Sequence, residues 1–120
     1  MRLSVSHAFE AAHRLPLYEG PCHDLHGHGY KMVVTVSAPT DPRTGMGPDF
    51  LAIRRIVTER VFDAVDHKYL NDIIDNPTAE NILKWMWRRL APDIPGLFEI
   101  ILWETPDLWA AYRGDEESRP

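Results

Sequence analysis

Hydrophobic and polar positions alternate along "MRLSVSHAFEAAHRL": Leu3, Val5, His7, Phe9, Ala11 and His13 fall on one side, Arg2, Ser4, Ser6 and Glu10 on the other. A period of two sends successive side chains to opposite faces of a strand, so this stretch predicts a half-buried β-strand. The alternation returns in "HGHGYKMVVTVSAP", where His26, His28, Tyr30, Met32, Val34 and Val36 share a face. These two segments read as antiparallel strands joined by a histidine-rich connection. Pro39, Pro42 and Gly45 then break the chain.

From Pro48 the period lengthens. Phe50, Ile53, Ile56, Val57, Val61, Ala64 and Val65 recur at helical spacing, with Asp49 as N-cap. "DHKYLNDIIDNP" reads as a loop, and Asn76-Pro77-Thr78 opens a second helix in either of two capping registers. The core face of that helix carries Ile82, Leu83, Met86 and Leu90. After breaks at Pro92 and Pro95-Gly96, "LFEIILWE" and "LWAAYR" predict a third and a fourth strand, with a turn through Thr105-Pro106-Asp107 between them. The order ββααββ is an α+β layout: a four-stranded, mostly antiparallel sheet with two helices on one face. We expect one domain over residues 1–114 and a charged, frayed tail, "DEESRP", over 115–120. The two open edges of such a sheet invite pairing between subunits.

Composition narrows the function. A chain of 120 residues with 44% hydrophobic and 26% charged residues fits one soluble core. A net charge of −5 without a basic stripe argues against nucleic acid as a partner. No apolar run reaches the roughly 20 residues of a membrane span, and "MRLSVSHAFE" lacks the apolar region of a signal peptide, so no membrane partner and a cytoplasmic location are expected. The single cysteine, Cys22, excludes an internal disulfide.

"PCHDLHGHGY" concentrates three of the six histidines beside Cys22. His26 and His28 are two apart on a strand and leave the same face, and the hairpin brings His13 close to them. Three imidazoles from two paired strands match a catalytic zinc site with its fourth position left for water or substrate. Copper, iron or nickel would accept the same ligands. Cys22 is near enough to act on a metal-bound ligand as a thiolate, or to close a structural site as a fourth ligand. His7 reads as a core or interface residue, and His23 has no partner that spacing demands.

The ordered motifs "FEAAHRL", "CHDLHGHGY", "DHKYLND", "NPTAEN" and "WET…YRG" resemble the 6-pyruvoyl-tetrahydropterin synthase superfamily over roughly residues 7–114. The spacing Cys-x3-His-Gly-His is similar to its bacterial 6-carboxytetrahydropterin synthase branch, which serves queuosine and 7-deazapurine biosynthesis, whereas the animal-type pyruvoyl enzymes resemble Cys-x5-His-Gly-His. The resemblance implies a tunnelling fold whose sheets close into a barrel, as a homohexamer of stacked trimers with active sites between subunits. It implies one zinc per subunit on His13, His26 and His28, Cys22 as catalytic thiol, and Asp66 and His67 as a proton-transfer pair serving a neighbour's Cys22. It makes Glu104 the anchor of a pterin ring and Thr78 a further pterin contact. The implied reaction turns 7,8-dihydroneopterin triphosphate into 6-carboxy-5,6,7,8-tetrahydropterin, acetaldehyde and triphosphate. Formation of 6-pyruvoyltetrahydropterin is the nearest alternative, and a non-catalytic metal-binding module the distant one. Arg14, Lys31, Lys68 and Arg113 are candidates for the triphosphate. "TPDLWAA" after Glu104 is more apolar than the family pattern and bears on a pocket wall or a subunit contact.

Overall fold

A computed structural model describes residues 1–114; the predicted tail, 115–120, lies outside the described residues. Strands β1 (Arg2–His13) and β2 (His26–Ser37) form a long antiparallel hairpin whose register pairs His13 with His26, Ala11 with His28 and Leu3 with Val36. The alternation is realised on both strands: Val5, His7, Phe9, Ala11 and His13 are buried, as are Tyr30, Met32, Val34 and Val36. Helix α1 (Phe50–Val57) starts at Asp49, whose carboxylate accepts from the Leu51 N–H at 2.9 Å. It runs on through a π-helical stretch (Thr58–Phe62) into a last turn, α2 (Asp63–Val65).

The sheet has five strands where the sequence predicted four. The supposed loop after Asp66 contains β3 (Lys68–Tyr69), which pairs parallel to β1 through Ala11 and Ala12, followed by a 3₁₀ turn (Leu70–Asp72). Two residues are too few to show a period, which is why the pattern missed it. Helix α3 (Ala79–Leu90) takes Thr78 as N-cap, the hydroxyl accepting from the Asn81 N–H at 3.1 Å, which decides between the two capping registers. Strands β4 (Leu97–Thr105) and β5 (Leu108–Tyr112) follow as predicted, and the sheet order is β3-β1-β2-β4-β5. Both helical segments cover one face of the sheet. Val57, Val61, Ile82, Leu83, Met86 and Leu90 are buried on the helices, and Met32, Val34, Ile100 and Leu102 on the sheet. Among the described residues, no helix is long and apolar enough to cross a membrane.

His7 sits in this core, 9% exposed. Its Nε2 lies 3.1 Å from the Thr58 hydroxyl at the start of the π-helical stretch, its ring tilts against Phe62, and its Nδ1 has no hydrogen-bond partner. Burial lowers its pKa from the usual 6.5, and the nearby Arg54 guanidinium pushes the same way. A group whose folded pKa is depressed stabilises the fold above its unfolded pKa. That contribution is lost as pH falls from 6.5 through the folded value, because the unfolded chain binds the proton more readily. Replacing His7 with leucine is expected to flatten the fall in urea midpoint between pH 7 and pH 5, without moving the midpoint's dependence above pH 7.

Candidate metal centre and adjoining cavities

The hairpin register puts three imidazoles side by side. His13 ends β1, His26 begins β2 opposite it, and His28 stands two residues on, opposite Ala11. One ring nitrogen from each lies within 4.8 Å of the others. His13 is buried (1% exposed), whereas His26 and His28 are half-buried, so the cluster has a protein side and an open side.

The outer nitrogens settle the tautomers. His13 Nδ1 is 2.8 Å from the Pro77 carbonyl, His26 Nδ1 is 2.8 Å from the Asp24 carbonyl, and His28 Nδ1 is 3.1 Å from the Gly29 carbonyl. A carbonyl oxygen only accepts, so each Nδ1 carries the proton and donates it. Each Nε2 is left with its lone pair. His13 Nε2 and His26 Nε2 face each other at 2.9 Å, a repulsive approach unless a cation lies between them. Metal-bound histidines commonly donate their second nitrogen to a carbonyl or carboxylate in this way, which fixes the tautomer and raises ligand basicity. Ligand nitrogens around a tetrahedral zinc with bonds of about 2.0–2.1 Å stand about 3.3 Å apart; the His13–His26 pair at 2.9 Å would open slightly and the wider separations, all within 4.8 Å, would close to reach that spacing. Burial lowers the His13 pKa; the Pro77 carbonyl pulls the other way but does not cancel it. The ring is therefore held neutral, as a ligand must be.

Cys22 lies half-buried in a short 3₁₀ turn (Pro21–His23) of the connection between β1 and β2. It does not join the group of converging ligand atoms. Burial, and after it the Glu104 charge, raise the pKa of Tyr30, whose hydroxyl sits 3.3 Å from both ring nitrogens of His13. Tyr30 is thereby kept as a phenol. Its ring is stacked on Phe9 and packed 4.3 Å from the His28 ring, forming the floor under the cluster. Sequence reasoning placed Tyr30 on the strand face but gave it no part in the site.

A cavity of about 670 Å³ opens from His28 past Gly29, Tyr30 and Lys31 to Trp103, Glu104, Thr105 and Pro106. Glu104 stands where the β4–β5 register shifts, at a bulge between Trp103 and Thr105, and bulges commonly re-aim a side chain next to a site. Its charge reaches His13 and Tyr30. Leu108 and Trp109, 62% and 60% exposed, border a smaller hollow of about 290 Å³ on the other side of Glu104, so the apolar "TPDLWAA" segment walls the pocket region. Thr78 caps α3 one residue after Pro77, the residue that orients His13.

Asp66 and His67 form their own pair, Oδ2 to Nδ1 at 3.0 Å. The Glu10 backbone N–H donates to Asp66 Oδ1 at 3.1 Å, and this bond holds the carboxyl pKa below its usual value, with a smaller contribution from His67. His67 has φ +58°, an uncommon conformation for a residue with a Cβ, and its N–H is bonded to the Glu10 carbonyl at 2.6 Å. The His67 side chain is 77% exposed. The structure thus gathers His13, His26, His28, Glu104 and Cys22 around Tyr30, and sets Asp66–His67 apart at the edge of the sheet beyond β1. His23 pairs with Asp24 at 3.2 Å on the surface.

The fold and the convergent imidazoles define an α+β protein with a site for a metal ion beside a ligand-sized cavity. The chain belongs to the 6-pyruvoyl tetrahydropterin synthase family, whose model matches residues 2–115. It is 38% identical over 112 residues to a 6-carboxy-5,6,7,8-tetrahydropterin synthase of Synechocystis, covering 88% of this chain and 87% of that one. It is 36% identical to a dihydroneopterin monophosphate aldolase of Pyrococcus furiosus, covering 86% and 89%. The solved 6-pyruvoyl tetrahydropterin synthase of Caenorhabditis elegans superposes with a TM-score of 0.85 at 26% identity, over 95% of each chain. The fold is the tunnelling fold expected from the sequence, with β3 as an added edge strand.

Loss of an outer partner typically costs a metal site 10–100-fold in affinity, so loss of a ligand costs more. Replacing any one of His13, His26 or His28 with alanine is expected to weaken Zn²⁺ binding by more than about 100-fold in a competition titration. Cys22→Ala should leave it within about threefold of wild type, since the thiol is not among the ligands.

Proposed function

We propose that this chain is a zinc-dependent carbon–carbon lyase acting on 7,8-dihydroneopterin triphosphate, with 6-carboxy-5,6,7,8-tetrahydropterin, acetaldehyde and triphosphate as products and one water consumed. It would supply queuosine and 7-deazapurine biosynthesis. The observation that carries this reading is the convergence of one ring nitrogen from each of His13, His26 and His28 within 4.8 Å, without Cys22 among them, with His28 lining the cavity that ends at Glu104. An open metal position, a separate thiol and a carboxylate anchor are the three parts the reaction requires.

In this reading His13, His26 and His28 hold the zinc, which supplies Lewis-acid polarisation of side-chain oxygens and acidifies the neighbouring C–H and O–H groups. Glu104 accepts paired hydrogen bonds from the 2-amino group and N3–H of the pterin ring, and Thr78 adds a contact from the helix cap. Cys22 and His67 move protons while the side chain tautomerises, triphosphate leaves and the carbon–carbon bond is cut. Asp66 orients His67 and stabilises its cation. The exposed His67 at a sheet edge supports its service to the Cys22 of a neighbouring subunit, within a hexamer of stacked trimers. Residues 1–114 act as one catalytic unit per subunit, and the protein works in the cytoplasm.

The nearest alternative, 6-pyruvoyltetrahydropterin formation, keeps the carbon–carbon bond, and the Cys-x3-His-Gly-His spacing from Cys22 to His28 speaks against it. The test is turnover of dihydroneopterin triphosphate by the zinc-loaded protein, reading acetaldehyde and pterin product mass together. Acetaldehyde in step with a carboxylated tetrahydropterin is the expected result; a pyruvoyl product without acetaldehyde would move the chain to the other branch. Cys22→Ala is expected to cut kcat by about 10²-fold or more, the usual scale for a lost proton-transfer group, while the protein keeps its zinc. Glu104→Gln should act mainly on KM, because the amide cannot accept both ring hydrogen bonds.

A further inference from the structure

His7 is a buried side chain for which the proposed chemistry has no use, and it holds the first helical segment at both ends of its π-helical stretch. Its Nε2 lies 3.1 Å from the hydroxyl of Thr58, the first residue of that stretch, and its ring packs 5.9 Å from the ring of Phe62, the last. The buried positions Ile53, Val57, Val61 and Val65 recur every four residues. On a regular α-helix that spacing drifts by about 40° per step, so three steps would turn the stripe about 120° away from the sheet. A turn closed five residues back is wider and takes up the drift. The Asp63 N–H bonds to the Thr58 carbonyl in this way. Such turns occur frequently beside functional sites.

We infer that the His7–Thr58 contact positions the Asp66–His67 pair. This rests on the proposed reading of that pair as proton-transfer groups. Each link between the two is a packed ring or a backbone hydrogen bond. Phe62, held against His7, offers its carbonyl to the Asp66 N–H at 2.9 Å. Asp66 Oδ1 accepts from the Glu10 N–H at 3.1 Å, and the His67 N–H donates to the Glu10 carbonyl at 2.6 Å. His7 and Glu10 lie three residues apart on β1, so one strand holds both the π-helical stretch and the dipeptide that follows it. Reversion of that stretch to α-helix would move every later residue by one helical step, about 1.5 Å of rise and 100° of rotation. The Phe62 and Glu10 bonds to Asp66 and His67 could not all survive that step. His67 is left-handed, with φ +58°, and a backbone in that region persists only where its surroundings hold it.

The test uses the zinc-loaded full chain with Thr58→Val, which keeps the shape and removes the hydroxyl, Thr58→Ser, which keeps the hydroxyl, and His7→Leu. Thr58→Val is expected to lower kcat on dihydroneopterin triphosphate about tenfold with KM within about twofold of wild type, and Thr58→Ser to restore most of the loss. His7→Leu should lose as much, and the double variant His7→Leu/Thr58→Val no more than either alone, because both remove one contact. Backbone hydrogen exchange supplies a readout that needs no turnover. In Thr58→Val the Glu10 and His67 amides are expected to exchange about tenfold faster, while amides of the β2–β4 ladder keep their rates. A uniform rise across the sheet, or faster exchange at Glu10 and His67 with kcat unchanged, overturns the positioning role and leaves the lyase reading in place. Absence of turnover in wild type overturns the lyase reading instead. The exchange comparison then decides alone: selective loss at Glu10 and His67 upholds the contact, and its absence overturns it.

Discussion

Two imidazole nitrogens facing each other at 2.9 Å with their lone pairs exposed make an arrangement that a folded chain does not hold without a reason. Each is fixed in that state from behind, by a carbonyl that can only accept the proton on the far nitrogen. Ring rotation or tautomer exchange would relieve the contact at the cost of a hydrogen bond. For His13 that bond is buried, and leaving a buried donor or acceptor unmade costs about 1–3 kcal/mol. A bound cation would turn the repulsion into ligation, and the three converging imidazoles could hold one.

Much of the architecture serves to hold those carbonyls and rings in place. The long β1–β2 hairpin supplies the His13–His26 register. The capping of α3 by Thr78 fixes the preceding peptide, whose Pro77 carbonyl binds His13. Tyr30, locked as a phenol by burial and by the Glu104 charge near it, fills the space beneath. Sheet, helix cap and histidine cluster are therefore coupled: a change at Thr78 reaches His13 through the Pro77 carbonyl, and a change at Tyr30 acts on His13 and His28 directly.

The longer strands, the helices and the convergence of His13, His26 and His28 were legible because each has a period or a spacing. Leu3 to His13 and His26 to Val36 alternate cleanly, and H-x-H on a strand dictates a shared face. Other features have no such signature. The carbonyls of Asp24, Gly29 and Pro77 are backbone groups, and any residue type could have supplied them. β3 is two residues long, and the π-helical stretch over Thr58–Phe62 contains neither proline nor glycine to announce it. The bulge at Glu104 depends on the register of two strands, which no local pattern encodes.

The most direct test of the central claim is X-ray absorption at the zinc edge on the purified protein. The account predicts about one zinc per chain with three imidazole nitrogens at about 2.0–2.1 Å, a further light atom, and no sulfur. A sulfur scatterer at about 2.3 Å would make Cys22 a ligand and the site a closed structural one, contradicting the open centre on which the proposed chemistry depends.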